Sequence, residues 1–308
     1  MTFDTPILFI IFNRPKESKV VFESIKRIAP RKLYIAADGP RPDKPLDIEK
    51  CEETREIIKL IDWDCELHTQ FREENLGSGK GVSDAISWFF QNESQGIILE
   101  DDCVPDISFY PFCEELLNKF KDDRRIMHIA GSNHNPAYVR DSEYSYYFSQ
   151  IGLVWGWATW KRAWELSDIT MNNYSEISDK NYFKDLYANI LIRKYLKSKF
   201  KKTHLKVIND VWDYQWEFAR LINSGLTIMP VNNLVNNIGF GPDATHTLSD
   251  NTYFADAKIK PLIFPLKHPP FIIKDVKSEN RHFNKLFLWI LKRKIFSIIG
   301  IKGYNFNG

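Results

Sequence analysis

The first hundred residues switch between two hydrophobic periods. Residues 6–12, PILFIIF, are continuously apolar over the length of a strand and are bounded by Asn13 and Pro15. Such a run predicts a strand buried on both faces. SKVVFESIKRI (18–28) changes to helical spacing, with Val21, Ile25 and Ile28 on one side. KLYIAAD (32–38) predicts a second strand, stopped by Gly39 and Pro40, and DIEKCEETREIIKLI (47–61) a second helix. CELHTQF (65–71), SGKGVSDAISWFF (78–90) and GIILE (96–100) continue as strand, helix and strand. This alternation predicts an α/β fold of right-handed βαβ units, with a parallel sheet covered by helices. Ligands of such sheets sit beyond the carboxyl ends of the strands. Those ends read FNRP, ADGPR, REENLG and EDD, all polar.

The second half is less regular. IMHIAGSN (126–133) predicts a strand running into a polar loop, and WGWATWKRAWEL (155–166) an aromatic-rich entry into a helix. NDVWDYQWEFARLINSG (209–225) predicts a helix closed by Gly225, TIMPV a short strand, and NNIGFGPDATHT (236–247) a glycine-containing loop. No repeat or low-complexity linker interrupts the chain, and the boundary near 250 is a shift of composition. At 308 residues, 44% hydrophobic and 27% charged, the chain is an ordinary globular protein. A net charge of +2 gives no reason to expect nucleic acid. From Ala257 to Gly308, however, eleven Lys/Arg face two acids, Asp275 and Glu279. Cys51, Cys65, Cys103 and Cys113 form no CxxC pair, as expected of free thiols in a reducing cytoplasm. The first residues have no basic n-region or small-residue cleavage site, and no apolar stretch reaches the ~18 residues of a membrane span.

Glu100, Asp101 and Asp102 repel one another at a strand end. They suit either a solvated turn capping the next helix or a divalent metal, since Mg²⁺ takes one or two carboxylates plus substrate phosphates. The strand-end position and the polar loops beside it favour the metal. Arg14 is placed to fork onto phosphate oxygens. ENLGSGKG lacks Walker spacing; its glycines could admit a ligand, with Asn75 and Lys80 as contacts, or simply open a helix. The tail KLFLWILKRKIFSIIGIKGY (285–304) could pack on the domain or lie on an anionic membrane, aided by RKYLKSKFKK (193–202), which otherwise reads as a solvated helix face.

The ordered set IIFNRP, AADGPR, IILEDDCVPDISFYPF, HIAGSN, GLVWGWATWKRAW, VWDYQW and NNIGFGPDATH resembles the GT-A nucleotide-diphospho-sugar transferases, in particular N-acetylglucosaminyltransferase I-like and glycosyltransferase family 2-like proteins. The resemblance spans roughly residues 5–247 and implies a Rossmann-like, mixed but mainly parallel sheet. Its GT-A domain would occupy 1–250, with a nucleotide-binding half to about 105 and an acceptor half beyond. Residues 251–308 would be a basic extension. By resemblance Asp102 holds Mn²⁺ or Mg²⁺, Asp101 lies near the ribose and Glu100 nearby, and Asn13, Arg14 and Asp38 face the nucleotide. GLVWGW lies near the sugar, with Trp157 the aromatic chosen to meet it. Asp213 matches the catalytic base of an inverting transferase, shielded by Trp212 and Trp216, with Asp210 as second candidate. The 236–247 loop would be a lid hinged at Gly239 and Gly241, with His246 reaching the metal or a phosphate. The implied reaction moves a sugar, from a UDP-sugar in preference, to a hydroxyl of a surface glycan or lipid-linked saccharide, with peripheral contact at the inner face of a bacterial cytoplasmic membrane. A sugar-1-phosphate nucleotidyltransferase is the alternative, but it needs a glycine-rich basic loop after the first strand, where this chain has FNRPKES. A non-catalytic glycan-binding protein would have no need of the acidic triad and a base together.

Overall fold

The first strand, β1 (Ile7–Ile11), is hydrogen-bonded on both sides, in parallel, to β2 (Lys32–Ala37) and β4 (Gln95–Glu100). Its two faces are also covered, Ile7, Phe9 and Ile11 by one core and Leu8 and Ile10 by another, which accounts for its unbroken apolar run. The structure is a computed structural model that describes residues 3–134, 143–239 and 257–298. β3 (Glu66–Phe71) pairs in parallel with β2 at the sheet edge and is correspondingly less buried. The connecting helices are α1 (Pro15–Ile28), α2 (Leu46–Arg55) and α3 (Gly77–Asn92). The expected helix over 47–61 is shorter: after Arg55 the chain tightens into a 3₁₀ turn, Glu56–Leu60, which puts Ile57 into the core.

Beyond β4 come β5 (Cys103–Pro105), α4 (Phe109–Lys119), β6 (Ile126–Ala130), β7 (Tyr146–Ser149) and β8 (Trp157–Trp160). The short helices α5 (Lys161–Trp164), α6 (Tyr174–Asp179) and α7 (Phe183–Leu186) precede α8 (Ile190–His204) and α9 (Asp213–Ile222). β9 (Leu226–Pro230), β10 (Val235–Asn237) and α10 (Val276–Ile298) complete the described elements. The sheet order is β3-β2-β1-β4-β8-β6-β9-β7. β8 is antiparallel to both β4 and β6, and β7 is antiparallel to β9, while β6 and β9 are parallel. The sheet is therefore mixed, with the parallel block at the β3 side.

Trp157–Trp160 is thus a central strand, which the sequence did not predict, and it runs into the short helix α5, so the predicted helix entry begins only at Lys161. All of Trp157–Trp160 is buried, and the period of two sends Trp157 to one face of the sheet and Ala158 and Trp160 to the other. One core lies between the sheet and α1 and α4, from Phe9 and Phe22 to Phe112 and Trp160. The second joins Leu8, Ile86 and Phe89 to Trp157, Trp164, Trp212 and Trp216. A third lies on the outer side of α9, where Phe218 and Leu221 meet Leu196 and Phe200 of α8 and Phe283 and Leu286 of α10. Leu262 and Leu266 return the chain to the first core, so the basic segment is packed on the body through its inner side chains. No described helix is long and apolar enough to cross a membrane.

Candidate active site

The acidic motif leaves β4 beside the end of β1, where Ile10 is paired with Glu100. The Phe12 N–H donates to Asp101 Oδ2 at 3.2 Å, fixing the first residue of the turn to the neighbouring strand. Arg14 reaches back from the start of α1; its Nη1 lies 3.2 Å from Asp101 Oδ1 and 2.9 Å from Asp102 Oδ2. Arg14 is presented there because Pro15 occupies the first helical position, where its missing N–H costs nothing. The Cys103 thiol donates to Asp102 Oδ1 at 3.3 Å, and burial pushes that thiol well above its usual range.

Arg14 brings one positive charge to three carboxylates. Burial, and then the charges of Asp102, Asp101 and Asp213, push Glu100 well above the ordinary carboxylate range. Burial pushes Asp101 up to about 7, against the pull of Arg14 and with the push of Asp102. Burial works against the Arg14 guanidinium, but Asp101 and Asp102 outweigh it and raise its proton affinity. A second cation here would favour the charged forms of Glu100 and Asp101, which burial first and neighbouring acids second disfavour.

Asp213 opens α9, near enough that its charge adds to the raised proton affinity of Glu100. The expected shielding by Trp212 and Trp216 is not what the packing gives. One turn apart on a helix, both point inward to stack with Trp157 and Trp164, and Trp216 donates to His128 Nδ1 at 3.2 Å. Asp213 is half-buried on a different face, with Glu217 one turn further on. Burial raises Glu217 to about 7, opposed by Arg220 and reinforced by Asp213.

The second candidate base, Asp210, has another task. Residues 209–212 precede α9 as a loop, not as its first turn, and Asp210 has a left-handed φ of 54°. Its carboxylate lies at the start of α3 and accepts the Gly79 N–H at 2.8 Å. A Cβ on Gly77 would stand 2.4 Å from Asp210 Oδ1, and one on Gly79 3.0 Å from the Val211 backbone. The glycines of ENLGSGKG therefore admit this loop, which leads directly into Asp213. Asp38 serves the same helix end: its carboxylate accepts from Leu76 at 3.0 Å, Gly77 at 3.1 Å and Gly39 at 3.0 Å. Burial nevertheless raises its proton affinity, the backbone donors only partly offsetting it.

Asn13 donates to Asp47 Oδ1 at 2.8 Å, and Arg41 Nε to Asp47 Oδ2 at 2.5 Å. Asp47 was not singled out from the sequence because it sits within a helix first turn; its buried carboxylate ties together the ends of β1 and β2. Asn75 donates to the Gly39 carbonyl at 2.8 Å, and Lys80 is exposed on α3. Trp157 has 0% of its surface exposed, so it offers no face to a sugar; its ring is used against His128 and Trp212. Trp155, two residues earlier in the same motif, is the partly exposed one. His246 and Gly241 lie outside the described residues. Gly239 is described, and it crosses the acidic turn so closely that a Cβ there would stand 2.2 Å from Asp102 Oδ2. The Ile238 N–H donates to the Asp102 carbonyl at 2.8 Å, continuing the β5–β10 ribbon over the turn.

Among the described residues no three His, Cys, Asp or Glu side chains converge as a ready-made metal cage. That does not conflict with Mg²⁺ or Mn²⁺, which need only one or two carboxylates when phosphate oxygens and water complete the shell. The crowded carboxylate oxygens at this strand end fit such a cation in donor type.

No family model and no curated protein matches the chain. Solved structures similar to it include glycosyltransferases and nucleotidyltransferases. GlyE from Streptococcus pneumoniae TIGR4 has 14% identity and a TM-score of 0.34, over 74% of this chain and 45% of that one. Mouse xyloside xylosyltransferase 1 has 13% identity and a TM-score of 0.34, over 71% and 81%. The inositol-1-phosphate CTP transferase from T. maritima has 10% identity and a TM-score of 0.30, over 53% and 74%. Likeness at this level speaks to neither substrate nor mechanism.

Proposed function

We propose that the protein is a metal-dependent, inverting glycosyltransferase acting on a nucleotide-diphosphate sugar. The observation that carries the reading is the meeting, at one strand end, of Arg14, three crowded carboxylates and the start of the helix bearing Asp213. Asp102 would hold Mn²⁺ or Mg²⁺, with Asp101 beside it on the ribose side. When bound, such an ion offsets the charge of the departing nucleotide diphosphate. Arg14, already held at the same acids, supplies a guanidinium that forks onto phosphate oxygens. Asp213 accepts the proton of the acceptor hydroxyl as that oxygen attacks the anomeric carbon. Asp213 sits in the first turn of α9, on the same helix as Glu217. Displacement from the face opposite the diphosphate inverts the anomeric centre. A hydroxyl of a surface glycan or lipid-linked saccharide is the acceptor class we favour.

The nucleotidyltransferase alternative is disfavoured by the tight β1–α1 connection. Only Phe12, Asn13 and Arg14 separate β1 from α1, which leaves no room for a glycine-rich phosphate loop there. The test is release of free nucleotide across UDP-, GDP-, CMP- and dTDP-sugars with Mn²⁺, with Asp102→Asn and Asp213→Asn as controls. Hydrolysis or transfer from one donor, lost in both variants, supports the reading. Pyrophosphate release from a nucleoside triphosphate and a sugar phosphate would establish the alternative instead.

A further inference from the structure

We propose that the outer stripe of α10 seats the protein on an anionic membrane surface. The inner side of α10 is committed: Phe283 and Leu286 lie in the third core, and Tyr195 of α8 packs its ring against Phe283 and Phe287. The outer side is different. Leu288, Leu291 and Ile295 are 58%, 54% and 44% exposed, three large aliphatic side chains on successive turns of one helix face. At 3.6 residues per turn they share roughly a third of the helix circumference with Arg281, Lys285 and Lys292, all exposed. The acid within α10 is Glu279, which is buried and accepts from Ser149 and the Gln150 N–H, so the stripe carries no negative charge. The adjacent α8 is also basic: it carries exposed Lys194, Lys201 and Lys202 and no acid, and Ile190 and Leu191 are exposed in its first turn.

An apolar strip bordered by cations is what an interfacial helix presents to lipid: the aliphatic groups enter the headgroup–acyl boundary while the cations meet anionic headgroups. A nucleic acid would use the cations but would leave the leucines unburied, so the combination favours the membrane. The proposal is independent of the reaction catalysed.

The test uses the full chain, co-sedimented with vesicles of phosphatidylcholine alone and of phosphatidylcholine with one-third phosphatidylglycerol, at low and high salt. Truncating the tail is unsuitable because it removes core residues. Two variants replace it, Leu288→Gln/Leu291→Gln/Ile295→Gln and Lys285→Gln/Lys292→Gln, both confined to exposed side chains. Binding to anionic but not neutral vesicles is expected. The first variant should weaken it about a hundredfold or more, and the second by roughly fivefold per cation removed, with the residual binding less sensitive to salt. Failure of the full chain to bind anionic vesicles overturns the proposal, as does binding unaffected by either variant. Binding to duplex DNA that needs the lysines but not the leucines, with vesicle binding weaker, would reassign the surface to a polyanion and equally overturn it.

Discussion

Asp210 and Asp213 are three residues apart, and the structure separates their roles sharply enough to be measured. Asp210 holds the start of α3 from a distance by accepting the Gly79 N–H, in a left-handed conformation. Asp210→Asn preserves an acceptor and tolerates that conformation, so it loses only the charge at a helix N-terminus, about 0.3–1 kcal/mol. Asp210→Gly loses the cap, worth about 1 kcal/mol, and regains part of it by relieving the backbone. Asp210→Ala loses the cap without that relief, because the native Asp210 already holds a Cβ in the left-handed conformation. The expected order of destabilisation is therefore Asn, then Gly, then Ala, with Ala at about 1–2 kcal/mol in urea unfolding. Turnover should follow a different rule. Asp210→Asn should retain most of it, because no proton passes through this carboxylate, whereas Asp213→Asn should cut it severely with donor binding intact. If Asp210→Asn is as inactive as Asp213→Asn while remaining folded, the separation of roles is wrong. If Ala is no worse than Gly, the left-handed conformation of the loop is not what limits it.

Asp102→Asn should fold normally but lose the thermal stabilisation that Mn²⁺ gives the native chain, a shift worth about 2.7 kcal/mol at a hundredfold excess over the dissociation constant; an unchanged shift by scanning calorimetry would remove Asp102 from the metal site. Gly239→Ala should reduce that response as well, because its methyl would stand 2.8 Å from Asp102 Cβ and must push the carboxylate aside; titration calorimetry with Mn²⁺ reads the loss, and native affinity would refute the close crossing. Glu217 has a proton affinity raised to about 7, so the folded chain holds a proton there that the unfolded chain releases near its ordinary value. Folding stability from this group is present at low pH and declines as pH rises from the ordinary carboxylate value through about 7, by at most about 3 kcal/mol before its partial exposure is allowed for. Glu217→Gln should accordingly become more stable than the native chain as pH increases from 5 to 8 by roughly that margin or less, and parallel urea stability profiles for the two proteins would overturn the assignment.

The parallel half of the fold was legible because each of its signals is local. An unbroken apolar run such as Ile7–Ile11 can mean little else when proline and glycine punctuate it, and the strand ends then locate the acids. β8 was not legible for an equally physical reason. Both faces of Trp157–Trp160 are buried, Thr159 included, so no exposed polar face marks a period of two, and the KRAW that follows does form a short helix and draws the whole segment towards a helical reading. Trp157 was consequently assigned to a sugar when its ring belongs to the core. Asp213 could be selected by motif order, but its environment could not: whether Trp212 and Trp216 wall it off depends on which side of α9 meets the sheet, and that is set by contacts with residues more than fifty positions away.

The glycines of ENLGSGKG make the same point in the opposite direction. Sequence reasoning offered them to a ligand because the absence of side chains invites close approach. Close approach is what the structure shows, but the visitor is the chain itself, the 210–211 loop seated on Gly77 and Gly79. The first half of the molecule thereby fixes the segment that leads into Asp213, while the β10 ribbon brings Gly239 down onto Asp102 from the other side. Both contacts join early sequence to late sequence at positions where only a glycine fits. A substitution at Gly79 should therefore disturb Asp213 more than it disturbs Asp38, although Asp38 is much nearer in the chain. Its carboxylate is anchored by three backbone donors, whereas the approach to Asp213 is anchored through the loop that the new side chain would displace.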